Sequence, residues 1–445
     1  MAAELAPGIV VLNKKYFPKD SISAAQVGAT SFALSVLRVL SEAKILRGVV
    51  LYQRDERLTQ PHCALEPDLY DGVKVVTVSF HFRMSTRSIT RSLLEAYLTP
   101  IVYYQTDTLL EYHPQGLQFC VTHHGPFVSD FKESFTRSLT ELAFGGDPAK
   151  IEVLEKQQKL GVDRLIQDNF GSVLAHSAMQ QHFLEGQGLG SQRFKRLRPP
   201  IGVPPCSDPD LLPDTIKDFV SQAEILLFTA VARLDYFKNV DLLVQAGLEL
   251  LKRGVPVKVL VVGDPESDDS RRRSLLKLVP VEQRQHFLVL AKLPKDDLYA
   301  LFSATRGNGI FICPSRYETL GITPLEAAAS GVATLITDSP KVEASRYFPA
   351  GYRVTPSAAK IAAKVQVIRY DGVRRWGEMI EAHVRLETSL NAFHDDLLAA
   401  WKDLSRSNMT SRTSENGLVG RKGVKVENLI STWLQEIRTA LIEVS

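Results

Sequence analysis

Cys313-Pro-Ser-Arg-Tyr-Glu-Thr-Leu-Gly-Ile-Thr-Pro-Leu-Glu-Ala-Ala-Ala-Ser-Gly331 is the stretch on which the reading of the fold turns. It follows Gly309–Cys313, a short continuous apolar run of the kind that forms a buried strand. Thr323, Pro324 and Glu326 suit the N-cap, N1 and N3 positions of a helix, which makes a capping box. The spacing therefore predicts strand, loop and helix. The loop Thr319-Leu-Gly-Ile322 would aim backbone N–H groups outward at a helix N-terminus, a place that favours anions and phosphate in particular. Gly321 permits close approach of a ligand. Glu326 alone could be only a cap. Glu318, at the carboxyl end of the strand, has no such structural duty. Two carboxylates flanking a phosphate-type loop suit two groups of hydroxyls on either side of a diphosphate.

Outward from this stretch, the same alternation continues in both directions. Ile225–Val231, Val257–Val262, Phe287–Leu290 and Ala333–Thr337 read as strands. Val240–Arg253, Ser270–Leu278, Asp296–Ser303 and Thr323–Ser330 read as helices between them. The N-terminal half repeats the pattern. Strands are expected at Gly8–Asn13, Gly48–Tyr52, Val73–Ser79, Gln118–Thr122 and Phe170–Ala175, with helices at Ala24–Glu42 and Ala178–Gly186. Such βαβα order predicts an α/β fold of two doubly wound, Rossmann-like domains facing a central cleft. Arg198-Pro-Pro-Ile-Gly-Val-Pro-Pro-Cys-Ser-Asp-Pro209 can pack neither as helix nor as central strand and marks the linker. The expected division is 1–203, a linker at 204–222, a second domain at 223–380 and C-terminal helices over 381–445. The helices are expected at Ala382–Leu404 and Val426–Ile442, with a mobile loop near 405–425.

Composition narrows the classes. Of 445 residues, 44% are hydrophobic, enough for real cores. Lys and Arg number 53 against 50 Asp and Glu, and a net charge of +3 argues against a dedicated nucleic-acid binder. Cys63, Cys120, Cys206 and Cys313 form no CxxC pair, so neither a zinc ribbon nor a disulfide scaffold is indicated, and Cys120 and Cys313 read as reduced core residues. The opening MAAELAPGIVVLNKK has no basic n-region, and the apolar runs fall far short of the ~20 residues a membrane span needs. A cytoplasmic protein is expected, in which the Asn408-Met-Thr410 sequon is accidental.

A second element belongs with the first. In Ala230-Val-Ala-Arg-Leu-Asp-Tyr-Phe-Lys-Asn239, Arg233 and Lys238 lie in the first βα loop of the second domain. Arg can grip phosphate oxygens in bidentate fashion and Lys adds a point charge. With Arg233, Lys238, Pro314, Ser315, Glu318, Gly321, Glu326 and Ala327 in this order, the second half resembles the nucleotide-sugar domain of the retaining family-4 glycosyltransferases of GT-B fold. The likeness is good from Ile225 to Asp338 and includes the Val262-Gly-Asp264 strand end.

The resemblance implies that Arg233 and Lys238 hold a donor diphosphate, together with backbone at Leu320, Gly321 and Ile322. It implies Glu318 on the donor sugar, Glu326 on the ribose, and Lys292 and Leu293 beside the base. In Thr122-His-His-Gly125 it favours His124 over His123 as the residue facing the reacting sugar. UDP and GDP donors both occur in such families. The acceptor is open among small molecules, glycans and lipid-linked molecules, with peripheral membrane contact in the last case. The implied reaction is metal-independent transfer of a hexose-type sugar with retention. Two family features are altered: the glycine-rich turn is reduced to Ser23–Gly28, and the later Gly-Gly-x-x-Glu is Ser339-Pro-Lys-Val-Glu343.

Other candidates weigh less. Asp208-Pro-Asp210 mimics an Asp-x-Asp metal signature but lies in the proline linker, and no metal or other cofactor is expected. Arg83, Arg87 and Arg91, four apart on an expected helix, are either a solvated basic face or an anion or acceptor contact. Arg193, Lys195, Arg196 and Arg198 have the same ambiguity. Two rival functions stand beside transfer: a nucleotide-sugar epimerase of the same fold, and a non-catalytic sugar-nucleotide-binding protein.

Overall fold

The computed structural model describes residues 5–17, 28–55, 57–59, 62–70, 73–80, 101–113, 117–204 and 207–414. The described residues form two sheets. The first contains β1 (Gly8–Asn13), β2 (Leu46–Arg54), β3 (His62–Tyr70), β4 (Val73–Phe80), β5 (Ile101–Tyr104), β6 (Gln118–Val121), β7 (Gly171–Ala175) and β8 (Phe194–Arg196). Its order is β3-β4-β2-β1-β5-β6-β7-β8. Only β3 runs antiparallel, paired with β4 at the edge.

The second sheet contains β9 (Ile225–Ala230), β10 (Val257–Val262), β11 (Phe287–Leu290), β12 (Gly309–Cys313), β13 (Ala333–Thr337) and β14 (Arg353–Val354). All its pairings are parallel, in the order β11-β10-β9-β12-β13-β14. The direction of winding reverses between β9 and β12, and open α/β sheets bind ligands at that crevice. The loops after these two strands carry Arg233 and Lys238, and Glu318.

The strands are apolar because helices cover both faces. Every residue of β9, β12 and β13 is buried. Cys120 and Cys313 are buried free thiols, and burial pushes both thiols up, Cys313 to about 12.

The C-terminal helices differ from expectation. Val373–Thr388 and Leu390–Ser414 break at Ser389, and the second helix continues through 405–414, part of the stretch expected to be a loop. The remainder of that loop and the expected helix Val426–Ile442 lie outside the described residues. Helix Leu390–Ser414 packs back on the first sheet. Trp401 is fully buried and donates from Nε1 to the Ala6 carbonyl at 2.8 Å. Arg198 forks onto Asp396 at 2.8 and 2.7 Å. Among the described residues, no helix is long and apolar enough to cross a membrane.

Candidate functional site

The loop after β12 and the helix Ile322–Ala329 form the floor of the crevice. The helix begins two residues earlier than the capping box implies. Its N-cap is Gly321, with φ +78°, not Thr323. The left-handed backbone requires glycine, and a Cβ there would also lie 2.8 Å from the Ala344 Cβ. The first N–H groups, at Ile322 and Thr323, have no acceptor within the helix by geometry, and Pro324 has no N–H to offer.

Glu326 is therefore not a cap. It is buried a turn into the helix, where its Oε1 takes an ion pair from Lys295 and lies 3.1 Å from the Tyr299 hydroxyl. Burial pushes its carboxyl up, opposed by Lys295 and Tyr299. Lys295 and Tyr299 are four apart on helix Lys295–Ala304 and so share a face. That spacing was the available sequence signal for these partners.

Glu318 and Lys238 come together across the switch point. Lys238 Nζ lies 2.5 Å from Glu318 Oε1, and the Ser315 hydroxyl donates to the same oxygen at 2.9 Å. Both side chains are mostly but not fully buried. Arg233 stands apart, half-exposed, with Nε 3.3 Å from Asp235 Oδ2. The 231–239 loop is pinned from several sides. Asp235 Oδ1 accepts from the Phe237 and Lys238 amides at 3.0 and 3.1 Å. Asp264 Oδ1 accepts from the Leu234 amide at 2.8 Å. Asn239, with φ +51°, donates from Nδ2 to the Pro314 carbonyl at 3.0 Å, tying this loop to the one after β12. Sequence reading assigned no such role to Asp264 or Asn239. Lys292 donates its amide to the Asp264 carbonyl at 2.8 Å, and partial burial lowers its ammonium. Leu293 is partly buried against the main core.

The first sheet supplies the opposite wall. His124 follows β6, with Nε2 2.8 Å from Gln105 Oε1, so the neutral ring carries its proton on Nε2. Burial, followed by neighbouring His176 and His123, holds it well below the usual histidine range. Its ring lies 5.6 Å from that of His176 in a stacked arrangement. His123 turns the other way, toward Asp107 at 3.3 Å, as adjacent residues of an extended segment do. The walls touch where the Thr319 hydroxyl donates to the His124 carbonyl at 3.0 Å. They also touch where Phe131 and Phe135 pack on Phe237 and Tyr317. Gly28 is close as well: a Cβ there would lie 3.0 Å from Ile322 Cδ1.

The remaining candidates fall elsewhere. Asp208 accepts from the Asp210 amide at 2.9 Å and so caps the turn Pro209–Leu211, while the Asp210 side chain is exposed. Arg83, Arg87 and Arg91, and all but Gly28 of the altered turn, lie outside the described residues. Arg193 and Arg198 are structural, donating to carbonyl oxygens and to Asp396 respectively.

Residues 214–366 match the family model described as glycosyl transferases group 1. The matched segment contains Arg233, Lys238, Glu318 and Glu326. A glycogen synthase from Mannheimia succiniciproducens is 24% identical over 218 residues, spanning 48% of this chain and 40% of the relative. Among solved structures, sucrose-phosphate synthase from Thermosynechococcus elongatus is similar with a TM-score of 0.63 at 16% identity, covering 90% of this chain and all of that one. Anabaena HepE in complex with UDP and glucose aligns with a TM-score of 0.58 at 13% identity, covering 88% of this chain and 99% of its own. The likeness extends through both sheets, and the fold is GT-B.

Proposed function

We propose that this chain is a retaining, metal-independent glycosyltransferase that moves a hexose-type sugar from a nucleoside diphosphate to an acceptor. The match to the group 1 model supports the class of reaction, and the HepE complex offers a precedent for UDP on this fold. The Lys238–Glu318 pair at the switch point of the second sheet carries the reading. In it, a cation suited to phosphate and a carboxylate suited to sugar hydroxyls share one crevice beside the start of a helix.

In this reading the diphosphate lies over Gly321 and the Ile322 and Thr323 amides, with Leu320 beside it. Lys238 and Arg233 neutralise its oxygens. Glu318 accepts from the sugar hydroxyls and Glu326 from the ribose, held in place by Lys295 and Tyr299. Lys292 and Leu293 flank the base. The acceptor oxygen bonds to the anomeric carbon on the face from which the diphosphate departs. The anomeric carbon–phosphate oxygen bond breaks with its electron pair leaving on the diphosphate, which takes up the acceptor proton. The growing negative charge is met by the Lys238 and Arg233 cations and the helix amides, an electrostatic stabilisation of the transition state. His124 is neutral and hydrogen-bonds without acting as an acid. The acceptor approaches from the first sheet.

A panel of UDP-, GDP- and ADP-hexoses, incubated in EDTA and analysed by NMR, tests the proposal. Retention at the anomeric carbon in the transferred product is expected. An epimerised donor without transfer would favour the epimerase, and binding without turnover the binding protein.

A further inference from the structure

The carboxylate of Glu343 belongs to the second half of the chain but is spent on the first. Its Oε2 accepts from the Ala178 amide at 3.0 Å, the Met179 amide at 3.4 Å and the Ser177 hydroxyl at 3.3 Å. These groups form the N-terminus of helix Ala178–Gly186, which follows β7 of the first sheet. Glu343 is 3% exposed. Its other oxygen lies 3.6 Å from an Arg346 nitrogen. A carboxylate placed on free helix amides is held both by charge-assisted hydrogen bonds and by the helix dipole.

The same residue is bonded through its backbone to the proposed sugar-binding loop. The Glu343 amide donates to the Glu318 carbonyl at 3.0 Å, and the Glu318 amide donates to the Lys341 carbonyl at 2.9 Å. This two-bond ladder is a parallel bridge between Glu318 and Val342. Residues on both sides of Glu318 also dock on the first half. Tyr317 packs on Phe131 with ring centroids 5.1 Å apart, and the Thr319 hydroxyl meets the His124 carbonyl. Lys341 Nζ sits 4.6 Å from the centre of the Phe135 ring. Glu318 is thus suspended between the two halves, and the most buried of these ties passes through Glu343.

We infer that Glu343 is a positioning residue: by capping helix Ala178–Gly186 it sets the place of Glu318 relative to His124. The inference rests on the reading of Glu318 as the sugar contact. Misplacing a contact group by about 1 Å can cost ~100-fold in rate without touching the chemistry. Losing the cap should therefore lower kcat while leaving the diphosphate clamp of Lys238 and Arg233 in place.

The test uses the full chain with Glu343→Ala and the milder Glu343→Gln, which keeps an acceptor oxygen and covers the case that the alanine variant does not fold. Hydrogen exchange read by mass spectrometry reports the coupling without any activity. Exchange is expected to rise both at 178–179 and at the Glu318 and Glu343 amides, more in Glu343→Ala than in Glu343→Gln. A rise confined to 178–179 would overturn the inference. In the transfer assay, kcat should fall at least ~10-fold in Glu343→Ala with affinity for UDP or GDP within ~2-fold of wild type, and Glu343→Gln should recover part of the loss. Unchanged kcat, or nucleotide affinity lost in step with kcat, would likewise overturn it. Wild-type chain that transfers no sugar but shows the linked exchange would count against the proposed reaction and not against the coupling.

Discussion

Lys238 Nζ and Glu318 Oε1 are 2.5 Å apart, although the first is read as a phosphate ligand and the second as a sugar ligand. In the chain without ligand each neutralises the other, so neither is left as an uncompensated, largely buried charge. On the proposed reading, a donor would draw the ammonium toward its diphosphate as its sugar hydroxyls take over the carboxylate, so the pair would link recognition of the two parts of the donor.

Glu318→Gln removes the charge that competes for Lys238. Affinity for free UDP or GDP, which contain no hexose, should be equal to wild type or tighter by calorimetry. Turnover should fall at least ~10-fold, about 1.4 kcal/mol in the barrier, because contacts to the sugar act on the transition state. A variant that loses nucleotide binding but keeps its rate at saturation would contradict the placement of the sugar.

Glu326→Gln should have the opposite profile. It leaves Lys295 without its buried partner and weakens the carboxylate offered to the ribose. Nucleotide affinity should fall by about 1.5–3 kcal/mol, the range for hydrogen bonds to charged groups, with kcat at saturation changed far less. Indistinguishable behaviour of the two glutamine variants would remove the division of labour between them.

Three histidines held below their ordinary range make stability depend on acid. Burial lowers His113 and His176 to about 4 and holds His124 well below its usual range. The unfolded chain binds protons at these rings near pH 6.5, whereas the folded chain resists them, so stability is full above about pH 6.5 and falls as pH drops toward 4. Each ring should contribute a loss of about 1.4 kcal/mol per pH unit in that window. Urea unfolding between pH 7 and 5 measures it. His113 is the clearest case, since its Nδ1 accepts from Tyr104 and its Nε2 donates to the Leu117 carbonyl at 3.0 Å each. His113→Gln should flatten the profile.

Trp401→Ala should destabilise the whole chain. The ring is fully buried against Gly8 and Tyr103 and bonds to Ala6, so the expected cost is about 3–5 kcal/mol. Tyr370→Ala, at a side chain 92% exposed, should stay within about 0.5 kcal/mol. Urea unfolding of both variants distinguishes a C-terminal helix that completes the first sheet from one that merely follows the second.

Much of the scaffold was legible because buried parallel strands are continuous apolar runs. Gly8–Asn13, Val257–Val262, Phe287–Leu290, Gly309–Cys313 and Ala333–Thr337 fall where the sequence predicts. β3, an antiparallel edge strand whose run is broken by Glu66-Pro-Asp68, did not stand out. The cap at Thr323 was misread because a TxxE pattern carries no sign of the positive φ at Gly321. Placing Glu318 and Lys238 on one crevice was within reach of spacing alone. Their contact with each other was not, nor was the bond from Glu343 to Ala178, 165 residues away, because these depend on how the halves pack.

The most direct measurement is calorimetric titration of UDP, GDP and ADP, with the corresponding nucleosides, into wild type, Lys238→Ala and Arg233→Ala in EDTA. At least one diphosphate is expected to bind wild type without metal. Each variant should weaken that diphosphate by about 1.5–3 kcal/mol, roughly 10- to 150-fold, while the nucleoside binds as before. If none of the three diphosphates binds wild type, or if both variants bind as wild type does, the site at the β9–β12 switch point is not a nucleoside-diphosphate site.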